Sequence, residues 1–229
     1  MKLRKATMVL GLPLILIPPA FAEQDAANLL QNAGFESPAG KEGLAPQGWE
    51  FFTSRMNMAG ISRKEFRTGN QSLELRAQEF VGADMGCLQH LLVTAGTRYT
   101  FSAYVRNSRT AALDGTFFGI LSIEWLDAAG KEIGRSESPP WMRDLSQMRW
   151  TPVSVVAKAP PLATQAKFVI HAHDGNGKVS HGSCYVDDVL VTAEDPAPVK
   201  ASKSGGPRSD SAPGPAGYRS NTATTAFRN

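Results

Sequence analysis

Residues 88–107, LQHLLVTAGTRYTFSAYVRN, constrain the fold more than any other stretch. Leu88, His90 and Leu92 alternate with Gln89, Leu91 and Val93. Thr94, Ala95, Gly96 and Thr97 then turn the chain. Tyr99, Phe101, Ala103 and Val105 follow on one side, with Ser102, Tyr104 and Arg106 on the other. A period of two with β-branched and aromatic residues marks half-buried strands, so the stretch reads as two strands joined by a short turn. The return strand has one apolar face and one face bearing a phenol, a hydroxyl and a guanidinium. The pattern recurs in 29–36, 48–52, 72–76, 117–126, 133–136, 150–157, 166–173 and 183–192, with 60–66 a further candidate and Gly, Pro and Asp punctuation between. Residues 127–131 read as a hairpin turn, with Gly130 supplying positive φ. Nine or ten short strands without a helical period predict an all-β sandwich or barrel.

The two ends of the chain read differently. Lys2, Arg4 and Lys5 precede an apolar run, 8–17, and Ala20-Phe21-Ala22 is a small-x-small cleavage site. Residues 1–22 therefore read as a secretory signal peptide, and the expected location is secreted or periplasmic. Pro13, Pro18 and Pro19 break the run and leave it too short to be a membrane anchor. From Asp195 onward Pro, Ser, Gly, Ala and Lys dominate, so 195–229 is expected to be a disordered tail. The folded domain is assigned to 23–194, which hold 16 basic and 19 acidic side chains. That balance, with no basic stripe, argues against nucleic acid. No segment of the domain predicts membrane insertion. Cys87 and Cys184, the only cysteines, are expected to pair in an oxidising compartment; two buried thiols is the other reading.

Several residues recur in a familiar order. Asn32, Gly34, Phe35 and Glu36 come first, then Gly48-Trp49 after a loop. Gly69, Asn70, Gln71, Ser72 and Leu73 are next, followed by Gln89 ahead of the 93–106 stretch. Trp150 opens a later strand, and Tyr185, Asp187, Asp188 and Val189 close the domain. Over residues 28–193 this order resembles the CenC-like carbohydrate-binding modules, families four, nine and twenty-two. The resemblance implies a jelly-roll of the galactose-binding-domain-like type. It also implies a sugar cleft on one sheet, binding without catalysis, and service to a secreted glycan-active enzyme. Finally, it implies a structural Ca²⁺ held by Glu36, Asp187 and backbone carbonyls near Gly34 and Arg67–Gly69. Ca²⁺ needs six to eight oxygens, and strand alternation turns Asp188 away from such a site.

If the strands carrying Tyr104, Glu124 and His171 share a sheet, their hydrophilic faces form one cleft. It would hold Tyr104, Arg106, Glu124, His171 and His173, with Ser102, Ser122 and Gln89 beside them. Sugar recognition needs flat apolar rings and a few placed hydrogen-bonding groups. Trp49, Trp125 and Trp150 are assigned to the core, leaving Trp141, in a loop, as the stacking platform. The expected partner is a polysaccharide or oligosaccharide. Three other readings stand beside it. His171 and His173 could bind Zn²⁺ with His90 or Glu124. Arg106, Gln89, Tyr104 and His171 are the residue types of a jelly-roll polysaccharide lyase. A structural or adhesive domain would keep the fold without a sugar site.

Overall fold

A computed structural model describes residues 27–37, 45–53, 58–78, 82, 84–174 and 180–194. All belong to one compact unit, 1–196. The signal-peptide and tail assignments lie outside the described residues.

The described residues form ten strands: β1 (Glu50–Thr53), β2 (Ala59–Ser62), β3 (Ser72–Gln78), β4 (Asp84–Leu92), β5 (Arg98–Asn107), β6 (Phe117–Leu126), β7 (Glu132–Glu137), β8 (Thr151–Lys158), β9 (Gln165–Asp174) and β10 (His181–Glu194). They make two five-stranded sheets. Sheet one runs β1-β4-β9-β6-β7 and sheet two runs β2-β3-β10-β5-β8, with every ladder antiparallel. The all-β sandwich expected from alternation is the observed fold. Apolar residues two apart on each strand face the same way, so the two inner faces supply one core. Phe101 of sheet two meets Phe168 of sheet one edge-on, with centroids 5.4 Å apart. Tyr99 lies between Trp125 and Phe168 at 5.9 and 6.2 Å. Each such ring, fully withdrawn from water, contributes roughly 1.5–3 kcal/mol.

Two expectations about connectivity fail. The first concerns β4 and β5, which read as a hairpin but lie in different sheets. Residues 93–97 are an arch between layers, and their backbone bonds run to the 159–164 segment. Val93 N donates to Thr164 O, Gly96 N to Ala159 O, and Ala159 N to Thr97 O. The Tyr99 hydroxyl accepts from Thr94 N at 3.0 Å and closes the arch. The second concerns residues 29–36, which form turns rather than a strand. Asn32 and Phe35 hold positive φ, at 48° and 62°, outside the extended region of a regular strand. Leu29 N still donates to Val191 O, and Phe35 packs on Trp49 with centroids 5.0 Å apart.

The expected disulfide is corrected. Cys87 on β4 and Cys184 on β10 are free and buried, one in each sheet. Burial pushes the Cys87 thiol well above its ordinary value. It pushes Cys184 up to about 12, with the Trp141 indole pulling weakly the other way. Both thiols behave as small core hydrophobes.

Candidate functional site

The two outer faces of the sandwich differ in character. On sheet two, the segment between β2 and β3 lies against the polar face of β5. Glu65 Oε2 accepts from Arg106 Nη2 at 2.5 Å, and both side chains are almost fully buried. The other Glu65 oxygen accepts from Arg109 N at 2.8 Å. The Arg106 guanidinium also lies over the Trp150 ring, 4.6 Å from its centroid, and Arg67 covers Tyr104 at 3.6 Å. Tyr185 donates to Glu74 at 3.2 Å, which also accepts from Arg76 at 2.7 Å. Burial alone would raise the Glu74 pKa, but Arg76 and Lys64 outweigh it and hold the carboxyl below its usual value. Tyr104 and Arg106 are therefore occupied in fastening a loop.

The residues assigned to calcium flank the same loop. Glu36 Oε1 accepts from Asn70 N and Gln71 N at 2.9 and 3.1 Å. Asp187 Oδ2 accepts from Arg67 N and Thr68 N at 2.7 and 3.2 Å, and its Oδ1 from Asp188 N at 2.7 Å. A calcium site needs oxygens converging on one point. Three amide N–H groups take three of the roughly four acceptor positions of the Asp187 carboxylate, and two hold Glu36. Burial outweighs the three amide bonds and pushes the Asp187 carboxyl up to about 6. Asp188 does not turn away as alternation required. It sits at positive φ, 47°, in a bulge where β10 shifts register on β5. Its carboxylate takes Arg67 Nη1 at 2.5 Å and the Thr68 hydroxyl.

The outer face of sheet one carries the other half of the expected cleft. β9 lies between β4 and β6, so its outward residues His171 and His173 have neighbours on both sides. In register, Gly86, His171 and Ile120 form one row, and Asp84, His173 and Phe118 the next. Phe52 pairs with Gly86 from β1. The Phe52 ring lies 5.7 Å from that of His171, and the Phe118 ring 5.5 Å from that of His173. Asp84 Oδ1 lies 2.9 Å from His171 Nε2 and 2.8 Å from His173 Nδ1. Partial burial would raise the Asp84 pKa, but the hydrogen bonds to His173 and His171 keep it lower than usual. Val169 and Ile120 are buried on this face outside the core cluster. Ser122, beside them, is buried with no partner for its hydroxyl among the described residues. Farther along, Glu124 pairs with Arg135 at 3.0 Å and Lys167 at 3.6 Å.

The single cleft is therefore corrected. Glu124, His171 and His173 share sheet one, whereas Tyr104 and Arg106 lie on sheet two. Gln89 is buried on the inner side and brackets the backbone of Gln31, accepting from its N at 3.1 Å and donating to its O at 2.7 Å. Trp141 is no platform: it is 5% exposed, and its indole presses on Gly119, with which it forms a β-bridge. Trp49 and Trp125 are buried as expected, while Trp150 is half-buried under Arg106. The lyase constellation is dispersed by the same division. Sequence reading missed Asp84, Phe52 and Phe118. Alternation carried back from Leu88 through Gly86 would have put Asp84 on the His90 face, and Phe118 alternates with Ile120, Ser122 and Glu124.

A cavity of about 490 Å³ opens elsewhere, lined by Pro139, Trp141, Asp144, Leu145, Thr151 and Val153. Of its walls, Trp141 and Leu145 belong to the buried core, whereas Asp144, Ser146, Thr151 and Ser154 are polar.

No family model matches this sequence, and no curated protein matches it. Solved structures do. The enzymatically active domain of tailspike protein 4 from bacteriophage CBA120 is 14% identical with a TM-score of 0.52; the match covers 73% of this chain and 21% of that one. A cyclase from Fischerella sp. TAU is 17% identical with a TM-score of 0.50, covering 72% and 95%. TmCBM61, solved with β-1,4-galactotriose, is 14% identical with a TM-score of 0.48, covering 74% and 100%. The chain spans about a fifth of the tailspike domain. At these identities the first two likenesses establish the fold.

Proposed function

We propose that this protein binds carbohydrate, without catalysis, on the outer face of sheet one. One observation carries the reading: Phe52 and Phe118 flank His171, His173 and Asp84 across four neighbouring strands, β1, β4, β9 and β6. Rings of this kind stack on the C–H faces of a sugar, and imidazole and carboxylate groups between them bond its hydroxyls. The ligand class is a neutral polysaccharide or oligosaccharide, a glucan, xylan or related polymer. The reading includes export by the 1–22 leader and service as an accessory to a secreted glycan-active enzyme. It does not include a required calcium: Glu36 and Asp187 act as amide-bonded braces of the 67–71 turn.

Affinity electrophoresis of the full chain in glucan, xylan and galactan gels tests it. The wild type is retarded in at least one gel. Phe52→Ala and Phe118→Ala each weaken retardation about 5–10-fold, in line with aromatic contacts of roughly 1 kcal/mol, while the melting temperature holds. Free migration of the wild type in every gel, or full retardation of the Phe52→Ala/Phe118→Ala double variant, refutes the proposal.

A further inference from the structure

We propose that Asp84, His171 and His173 form a binding site for one divalent transition-metal ion of the Zn²⁺ class. The site uses the histidines and the carboxylate of the proposed sugar cleft, but its argument does not depend on sugar binding.

Two imidazole nitrogens and a carboxylate oxygen are the donors that borderline ions such as Zn²⁺ take, and they are too few and too nitrogen-rich for Ca²⁺ or Mg²⁺. The backbone delivers all three. His171 and His173 stand two apart on β9 and so project from one face, and Asp84 sits directly across from His173 on β4. Their ligand atoms lie within 4.8 Å of one another, and both nitrogens are already within 3 Å of Asp84 Oδ1. A tetrahedral ion with bonds of about 2.0–2.1 Å sets its ligands roughly 3.3–3.5 Å apart. Small side-chain rotations close that difference.

The surroundings hold the ligands in place. Phe52 packs on the His171 ring and Phe118 on that of His173. Gly86, opposite His171, admits no side chain: an added Cβ would lie 1.9 Å from Ile170 O and 2.8 Å from Phe52 Cζ. The absence of a side chain there gives the Phe52 ring its seat against the imidazole. Three protein ligands leave a fourth position, and it faces outward, since the Asp84 side chain is 51% exposed against 22% and 28% for the two histidines. Two neutral imidazoles and one carboxylate leave a net positive charge on the bound ion. The open position therefore takes an oxygen donor, water or a hydroxyl or carboxylate of a ligand.

Calorimetric titration of Zn²⁺ into the untagged, metal-free full chain near neutral pH tests the site. One ion binds per chain. His171→Gln/His173→Gln weakens binding at least about 100-fold and Asp84→Asn about 10-fold, whereas His90→Gln/His181→Gln leaves it unchanged. Co²⁺ added to the wild type gives the intense visible absorption of a low-symmetry site, a readout independent of variant folding. Absence of saturable Zn²⁺ binding to the wild type overturns the proposal, as does unchanged affinity in His171→Gln/His173→Gln. Neither outcome depends on glycan retardation, so the metal site and the sugar reading stand or fall separately.

Discussion

Replacing Trp141 by alanine decides between a buried wedge and an exposed stacking platform. The indole is 5% exposed, and truncation removes it from a packed interior at a cost of about 3–5 kcal/mol. For a domain of this size that is a fall of roughly 6–20 °C in melting temperature. Gly119→Ala probes the contact from the other side. An added Cβ would lie 2.2 Å from Trp141 Cε2, 2.3 Å from Cζ2 and 2.5 Å from Nε1. Gly119 is not among the glycines at positive φ, and the atoms nearest an added Cβ are all of the indole. Overpacking of this kind costs about 1–3 kcal/mol. The two changes are coupled: in a Trp141→Leu background the clashing atoms are gone, and Gly119→Ala then costs less than about 0.5 kcal/mol. Urea denaturation of the four proteins measures the cycle. An unchanged midpoint for Trp141→Ala would show that the ring is at the surface, and additive effects of Gly119→Ala and Trp141→Leu would show that the two do not touch.

Three further expectations follow from the charged groups. Glu65→Ala strands Arg106, whose side chain is 5% exposed and whose Nε has no partner among the described residues; the expected loss is about 3–5 kcal/mol by thermal melting, and Glu65→Ala/Arg106→Met recovers part of it. Asp187, with its pKa raised from 3.8 to about 6 in the fold, keeps its proton there when the unfolded chain has released it. Its contribution is present below about pH 4 and is lost as pH rises to 6, by about 3 kcal/mol. Asp187→Asn removes that component, so the variant-minus-wild-type stability difference rises across this range; a flat difference refutes the assignment. Chelation or added Ca²⁺ leaves the melting temperature unchanged, and a rise with Ca²⁺ would assign an ion beside Glu36 and Gln71 Oε1, which has no partner among the described residues.

Alternation made the strands legible because each has one face in the core. Residues 98–107 show Tyr99, Phe101, Ala103 and Val105 inward, as read from the sequence. Sheet membership was not legible, because a period of two is the same in a hairpin and in an arch. The 93–97 link gives no local sign that its hydrogen bonds go to 159–164. Tyr104 was thereby set beside Glu124 when it belongs to the other layer. The same limit hid the pairing of Asp84 with His171 and His173, residues 87 and 89 positions apart from it. Trp141 followed punctuation typical of surface loops, and its burial depends on the vacancy at Gly119. At Asp187 and Asp188 the bulge suspended the rule itself.

The strand order has a consequence for biosynthesis. β9 and β10 are the last strands made, yet each occupies the middle of its sheet. Before they emerge, only the pairs β1–β4, β2–β3, β5–β8 and β6–β7 have partners available. No three-stranded unit can close, and isolated pairs are marginal in water. Neither sheet can therefore assemble until its central strand is made, β9 ending at Asp174 and β10 at Glu194, and both layers form late, in slow, long-range steps. A chain with that delay remains competent to pass through a translocation channel as a thread.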